Sequence, residues 1–129
     1  MKLSLFEINE MNKTIQLLSS QKLPLKGAFK LNQISNIINE NIKFYSDKFT
    51  EIVQQYSKKD ENGKPMLDDS KMNILIQEDK IDECKDAIEQ LNRLEVELDD
   101  KFTITLNDLG DIECSVQDLQ GLTPILREE

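Results

Sequence analysis

The feature that most constrains the fold is a stretch from Leu23 to Tyr56 in which apolar residues recur every three or four positions. This spacing places them on one face of an α-helix, so the pattern predicts a single long amphipathic helix over residues 25–57. The apolar stripe consists of Leu31, Ile34, Ile38, Ile42, Tyr45, Phe49, Ile52 and Tyr56. Because a helix of this length extends over about 50 Å, other helices or a second subunit must cover the stripe.

Two further helices are predicted on either side of the long one. Ser4 and Glu7 have the spacing of a capping box, which predicts the start of a first helix. Acidic residues from Asp68 onward predict the start of a third helix, since negative charge favours a helix N-terminus. The apolar stripe of this third helix consists of Ile74, Ile81, Cys84, Ile88 and Leu91. We therefore predict a mainly α fold, an antiparallel three-helix bundle around the long helix, built as a single domain from residues 1–129.

The last third of the chain changes its periodicity. Residues 94–98 and 102–106 alternate between apolar and polar side chains on either side of an acidic turn, which predicts a small β-hairpin over residues 94–106. The first arm is equally compatible with a continuation of the third helix. Ser115 is a favourable N-cap residue and predicts a short C-terminal helix that ends near Gly121 and Pro124.

Charge is unevenly distributed along the chain. The net charge is −9, but residues 1–66 carry ten lysines against seven acids, and residues 67–129 carry six basic residues against eighteen acids. The acidic half argues against nucleic-acid binding, because phosphate groups would be repelled. The difference in charge between the two halves of the sequence instead favours docking of further copies, or of a partner, in one orientation. No apolar run is long enough to predict a membrane span, and the N-terminus lacks a signal-peptide pattern, so no membrane partner is expected.

One basic cluster could hold a ligand. Lys22, Lys26 and Lys30 lie four positions apart around the predicted start of the long helix, beside Gly27. Exposed amides at a helix start and nearby lysines favour binding of a small anion. The alternative is that these lysines are solvated or pair with the acidic half of another subunit. On the long helix, the aromatic residues Tyr45, Phe49 and Tyr56 are predicted core or interface positions.

Enzyme chemistry has little support in the sequence. The chain has no histidine, which removes the commonest general base and zinc ligand. Two acidic pairs at helical spacing, Glu7 with Glu10 and Glu83 with Asp86, resemble the motifs of all-helical nucleotide pyrophosphohydrolases of the MazG kind, where carboxylates hold Mg²⁺. In those enzymes the pairs are close in sequence, whereas here two predicted connections separate them. We therefore predict no catalytic residue, no metal ligand and no cofactor.

Several segments together resemble small, mostly uncharacterised proteins encoded by tailed bacteriophages. The matching segments are residues 1–9, 23–31, 56–63, 95–98 and 118–126. The resemblance implies an origin and a layout, with a location in the bacterial host cytoplasm or in the virion. We expect a non-enzymatic, self-associating interaction protein, either a virion or assembly component or an inhibitor of a host factor. The alternative is an anti-defence sponge that binds a small anionic nucleotide signal between subunits, and a Mg²⁺-dependent pyrophosphohydrolase comes third.

Overall fold

The computed structural model describes residues 1–128 and is mainly helical. The helices are α1 (Leu5–Leu18), α2 (Leu25–Tyr56), α3 (Ile81–Arg93), α4 (Leu106–Leu109) and α5 (Val116–Gln120), with a 3₁₀ turn at Glu78–Lys80. The strands are β1 (Lys2–Ser4), β2 (Glu95–Glu97), β3 (Ile104–Thr105) and β4 (Leu126–Arg127). The predicted mainly α fold, with one long helix and a short C-terminal helix, is confirmed. No helix within residues 1–128 is both long and apolar enough to cross a membrane.

The chain forms two compact units, and the long helix contributes to both. The terminal unit contains Met1–Lys43 together with the chain from Leu94 onward, and the central unit is Phe44–Arg93. Of the two helices predicted to cover α2, α1 therefore belongs to the terminal unit and α3 to the central unit. The prediction of one domain over residues 1–129 stays a prediction.

The terminal unit contains most of the buried apolar side chains. Helix α1 begins as predicted, because Ser4 and Glu7 cap each other's backbone amides. The buried apolar side chains of this unit are Leu3, Leu5, Ile8, Met11, Ile15, Leu18, Leu31, Ile34, Ile38, Leu98, Ile104, Leu109, Leu122 and Ile125. Among the described residues of the central unit, only the apolar side chains of Cys84 and Leu91 reach the same degree of burial. The central unit is therefore the less well covered of the two.

The strands pair differently from the predicted hairpin. A small antiparallel sheet is present, but β2 pairs with the N-terminal strand β1, with Leu3 opposite Val96. The second predicted arm contributes β3, which pairs in parallel with the C-terminal strand β4, with Ile104 opposite Leu126. Residues 99–103 form turns instead of a hairpin loop. Each predicted arm therefore pairs with a strand from one end of the described chain, β2 with β1 and β3 with β4. Ile104 in β3 is fully buried.

The third helix begins later than predicted. Helix α3 starts at Ile81, and residues 57–77 instead form single antiparallel bridges, such as Ser57 with Ile76. The Asp68 carboxylate accepts hydrogen bonds from the side chains of Ser70 and Asn73, and these bonds lower its pKa to about 2. Such local bonds offer the backbone an alternative to helix, which explains why the acidic stretch closes a turn.

Candidate functional site

The central unit contains an apolar groove of 450 Å³, which we call the central groove. It lies between the second half of α2, helix α3 and residues 57–77, which precede α3 and which we call the bridged segment. Its lining residues are Phe49, Val53, Met72, Asn73, Ile74, Ile76, Ile81, Cys84, Lys85 and Ile88. Eight of these ten side chains are apolar, so the groove presents a surface that favours another apolar surface over water.

The groove is open because the apolar stripe of α2 is buried in the first half of the helix and only partly covered in the second half. Leu31 and Ile38 are buried in the terminal unit, whereas Phe49 is 38% exposed in the central unit. Helix α3 is held to α2 by a hydrogen bond of 2.6 Å that the Tyr45 hydroxyl donates to Asn92 Oδ1. The Tyr45 ring stacks on Phe49, with ring centroids 6.0 Å apart. These contacts fix one end of the α2–α3 pair and leave the Phe49 side of the groove open.

Two apolar side chains at the groove are unusually accessible. Met72 is 84% exposed and Ile81 is 40% exposed, and both line the central groove. Cys84 is buried in the groove wall, and burial raises the pKa of its thiol above the ordinary value. The Cys84 thiol therefore stays protonated at neutral pH and acts as a small apolar group.

The two elements beside the groove both carry charged side chains. The bridged segment, residues 57–77, carries four lysines and four acids, so its formal charges balance: Lys58, Lys59, Lys64 and Lys71 against Asp60, Glu61, Asp68 and Asp69. The stretch from the 3₁₀ turn through α3 is acidic, with Glu78, Asp79, Asp82, Glu83, Asp86 and Glu89 against Lys80, Lys85 and Arg93. Within residues 1–128, the only ion pair that joins these two groups is Lys58 with Glu78, at 3.7 Å. Lys64, Lys71, Asp82 and Asp86 form no ion pair among the described residues. The central unit thus carries basic and acidic groups that remain available to another molecule.

The predicted lysine site is only partly assembled. Lys26 and Lys30 line a cavity of 470 Å³ together with Asp108, whereas Lys22 is exposed and does not line it. The Lys30 ammonium donates to Asp108 Oδ2 at 2.7 Å. A Cβ on Gly27 would lie 1.7 Å from the carbonyl oxygen of Asp108, so the glycine permits close packing of α4 on α2. Binding of an anion by these residues stays a prediction.

Asp108 is the partner that the sequence patterns did not reveal. It lies 78 positions after Lys30, and no periodicity connects the two. The spacing of Thr105 and Asp108 is that of a capping box, which is visible in the sequence. In the structure these two residues cap α4. The two remaining aromatic residues of the predicted interface lie outside the groove lining: Tyr45 bonds to Asn92, and half-buried Tyr56 accepts a backbone hydrogen bond from Gln77.

The predicted acidic pairs are in different units, and three of their four carboxylates have local partners among the described residues. Glu7 caps α1, Glu10 pairs with Lys13 at 2.9 Å, and Glu83 pairs with Lys80 at 3.5 Å. Within residues 1–128 no three His, Cys, Asp or Glu side chains are grouped so that they could hold a metal ion.

Comparisons with known proteins give no relative for this chain. No family model matches it, and neither the curated proteins nor the solved structures include a significant match.

Proposed function

We propose that the protein is a non-enzymatic interaction protein that self-associates through the central groove. The observation that supports this most is the incomplete cover of the apolar stripe of α2 in the central unit, where Phe49, Met72 and Ile81 are exposed around a groove of 450 Å³. Burial of apolar surface is the main driving force of association, so a second apolar surface in this groove lowers the free energy of the complex.

A second copy of the same chain is the occupant that we propose. Each copy carries four lysines on the bridged segment and four acids on α3, and Lys64, Lys71, Asp82 and Asp86 form no ion pair among the described residues of the copy. A twofold axis through the groove region brings the lysines of one copy to the acids of the other, and repeats the contact in the opposite direction. Each charge contact is therefore made twice, and Met72 of each copy supplies an apolar side chain for the groove of the other.

The resemblance to phage proteins suggests where such an assembly acts. Self-association of a small helical protein suits a virion or assembly component, and it also suits an inhibitor that presents a composite surface to a host factor. Sequestration of a small anionic nucleotide signal has weaker support, because Asp108 already neutralises Lys30 in the cavity that Lys26 and Lys30 line. A rise in melting temperature with cyclic dinucleotides, lost in Lys26→Glu, would favour that alternative.

Light scattering and sedimentation of two matched variants test the proposal. Met72→Glu places a charge at the central groove, and Leu25→Glu places the same charge at an exposed position of the terminal unit. The two side chains are 84% and 87% exposed, so neither substitution disturbs a core. We expect Met72→Glu to weaken self-association by about tenfold or more, and Leu25→Glu to leave it within about twofold. A monomeric native chain at about 1 mM, or an equal effect of both variants, contradicts the proposal.

A further inference from the structure

The terminal unit contains a second cavity that neither self-association nor the predicted lysine site uses. It has a volume of 550 Å³, and we call it the terminal cavity. Its lining includes Leu3, Phe6, Glu7, Glu10, Pro124 and Arg127. Its volume is in the range of about 300–1,000 Å³ that is typical of small-molecule sites.

Both walls of the terminal cavity are held in place without a ligand. The first turn of α1 is fixed by its capping box, and the C-terminal turn is anchored by Leu122 and Ile125, which are fully buried. The Thr14 hydroxyl joins the walls by donating to the carbonyl of Asp118 at 2.6 Å. At Gly121 the backbone approaches α1 so closely that a Cβ would lie 2.5 Å from Thr14 Oγ1. A ligand therefore enters a preformed cavity, and little conformational entropy is lost on binding.

Within residues 1–128, two carboxylates and two cations line the cavity. Glu7 and Glu10 are three positions apart on α1, and both line the cavity. The resident cations are already engaged: Arg127 Nη1 donates to the carbonyls of Pro124 and Leu126, and the Met1 ammonium donates to the Leu98 carbonyl and to Asp100. The Met1 ammonium is thus paired with a carboxylate outside the lining, and the Arg127 guanidinium is the one cation of the described lining that keeps its charge beside the two glutamates.

The Glu10 carboxylate already pairs with Lys13, which would compete with a bound cation. Its Oε1 accepts from Lys13 at 2.9 Å, and both side chains of this pair are exposed. An exposed pair of this kind is weak, because water and salt screen it and the lysine side chain loses rotamer freedom. A bound cation can therefore share or replace the Lys13 ammonium.

An exposed aromatic ring completes the site. Phe6 is 51% exposed and lies in the cavity next to Glu7, with apolar Leu3 and Pro124 also in the lining. An aromatic face beside carboxylates is the combination that recognises organic cations, since the ring attracts positive charge and the carboxylates accept hydrogen bonds. We propose that the terminal cavity binds a small organic cation with a flat apolar body, of the aryl amidine or aryl guanidine class. This goes beyond the proposed self-association and does not depend on it.

Three probes of similar shape and different charge test whether the cavity selects a cation. Benzamidinium, benzamide and benzoate are titrated into the full chain, and the backbone amide chemical shifts of Phe6, Glu7 and Gly121 are followed. We expect benzamidinium to bind with a dissociation constant on the order of 1 mM and the other two about tenfold more weakly. An equal response to all three probes overturns the proposed selectivity. The absence of a benzamidinium response, or a response confined to other amides, overturns the site.

Charge variants test the two carboxylates with the fold preserved. In Glu7→Gln/Glu10→Gln the capping box remains, because glutamine at this helix position also accepts the bond from the cap residue. We expect this double variant to bind benzamidinium about tenfold more weakly, and Lys13→Gln to bind it more tightly. Glu40→Gln/Glu51→Gln is the matched control, since both glutamates are exposed on α2 and neither lines the terminal cavity. Native affinity in Glu7→Gln/Glu10→Gln, or an equal loss in the control, overturns the proposal, whereas light scattering of the same variants reports self-association separately.

Discussion

The Lys30 ammonium donates to Oδ2 of Asp108 at 2.7 Å and so joins α2 to α4 in the terminal unit. The same oxygen accepts the backbone N–H of Thr105, whose hydroxyl accepts the N–H of Asp108 in return. The Asp108 side chain is buried, and Lys30, together with Thr105, lowers the pKa of its carboxyl from 3.8 to about 2. A lysine that the sequence marks as a candidate ligand contact thus has an internal acidic partner.

This pair makes the stability of the protein depend on pH in a defined window. Because the folded pKa of Asp108 is below the unfolded one, its contribution is complete above pH 3.8 and is lost as the pH falls toward 2. We expect Asp108→Asn to lower the free energy of unfolding at pH 7 by about 1–2 kcal/mol, and to reduce the loss of stability between pH 4 and pH 2. Urea unfolding at a series of pH values measures both effects.

Asp111→Asn is the matched control for this change. Asp111 is an exposed aspartate close to Asp108 in sequence, and it forms no ion pair within residues 1–128. We expect it to alter neither the stability at pH 7 nor the slope of stability against pH. The same slope in the native chain and in Asp108→Asn would show that the pair does not titrate as described.

Because α4 approaches Gly27 closely, we expect replacement of this glycine by alanine to destabilise the protein. Replacing glycine by alanine within a helix normally stabilises a protein by up to about 1 kcal/mol. At Gly27 the new Cβ would lie 1.7 Å from the Asp108 carbonyl oxygen, which is backbone and cannot rotate away. We therefore expect Gly27→Ala to destabilise the protein by about 3 kcal/mol, measured by denaturant unfolding. A neutral or stabilising effect would mean that α4 does not pack on this turn of α2.

Short sequence patterns predicted where several helices begin, but they did not predict which strands pair. The capping box at Ser4, the helix start after Pro24 and the N-cap at Ser115 each depend on a few neighbouring residues, and all are present. The pairing of β2 with β1 and of β3 with β4 depends on contacts between distant parts of the chain, which alternation of side chains does not encode.

The candidate site shows the same division between local and distant information. Phe49 was predicted as an interface position from its place on the α2 stripe, and it does line the central groove. The opposite wall comes from the bridged segment, where Met72 and Ile76 show no regular period. Asp68 was interpreted as a helix start, because aspartate favours helix N-termini and turns alike, and only tertiary packing separates the two.

The hydrogen bond between Tyr45 and Asn92 is expected to stabilise the central unit. The Tyr45 hydroxyl donates to Asn92 Oδ1 at 2.6 Å and joins α2 to α3. We expect Tyr45→Phe and Asn92→Ala each to lower the free energy of unfolding by about 1 kcal/mol. Since Tyr45 also contacts Phe49, the double variant is needed to isolate the bond, and the two effects should be less than additive. Full additivity in urea unfolding would show that the two side chains are not coupled.

The proposed orientation of two copies can be tested by reversing charges on the bridged segment. Lys64→Glu/Lys71→Glu places acids where the proposed contact has lysines, and Lys22→Glu/Lys26→Glu makes the same change of net charge in the terminal unit. General repulsion between copies is then equal for both double variants, so any difference reports where the charges lie.

At about 50 mM NaCl we expect the first variant to associate about tenfold more weakly than the second, because its acids face those of α3 in the other copy. At about 1 M NaCl the screening length falls to about 3 Å, so the difference should shrink to within about twofold. Sedimentation at both salt concentrations measures it. Equal association of the two variants at low salt would mean that the bridged segment and α3 do not meet across the interface, even if the central groove is the apolar contact.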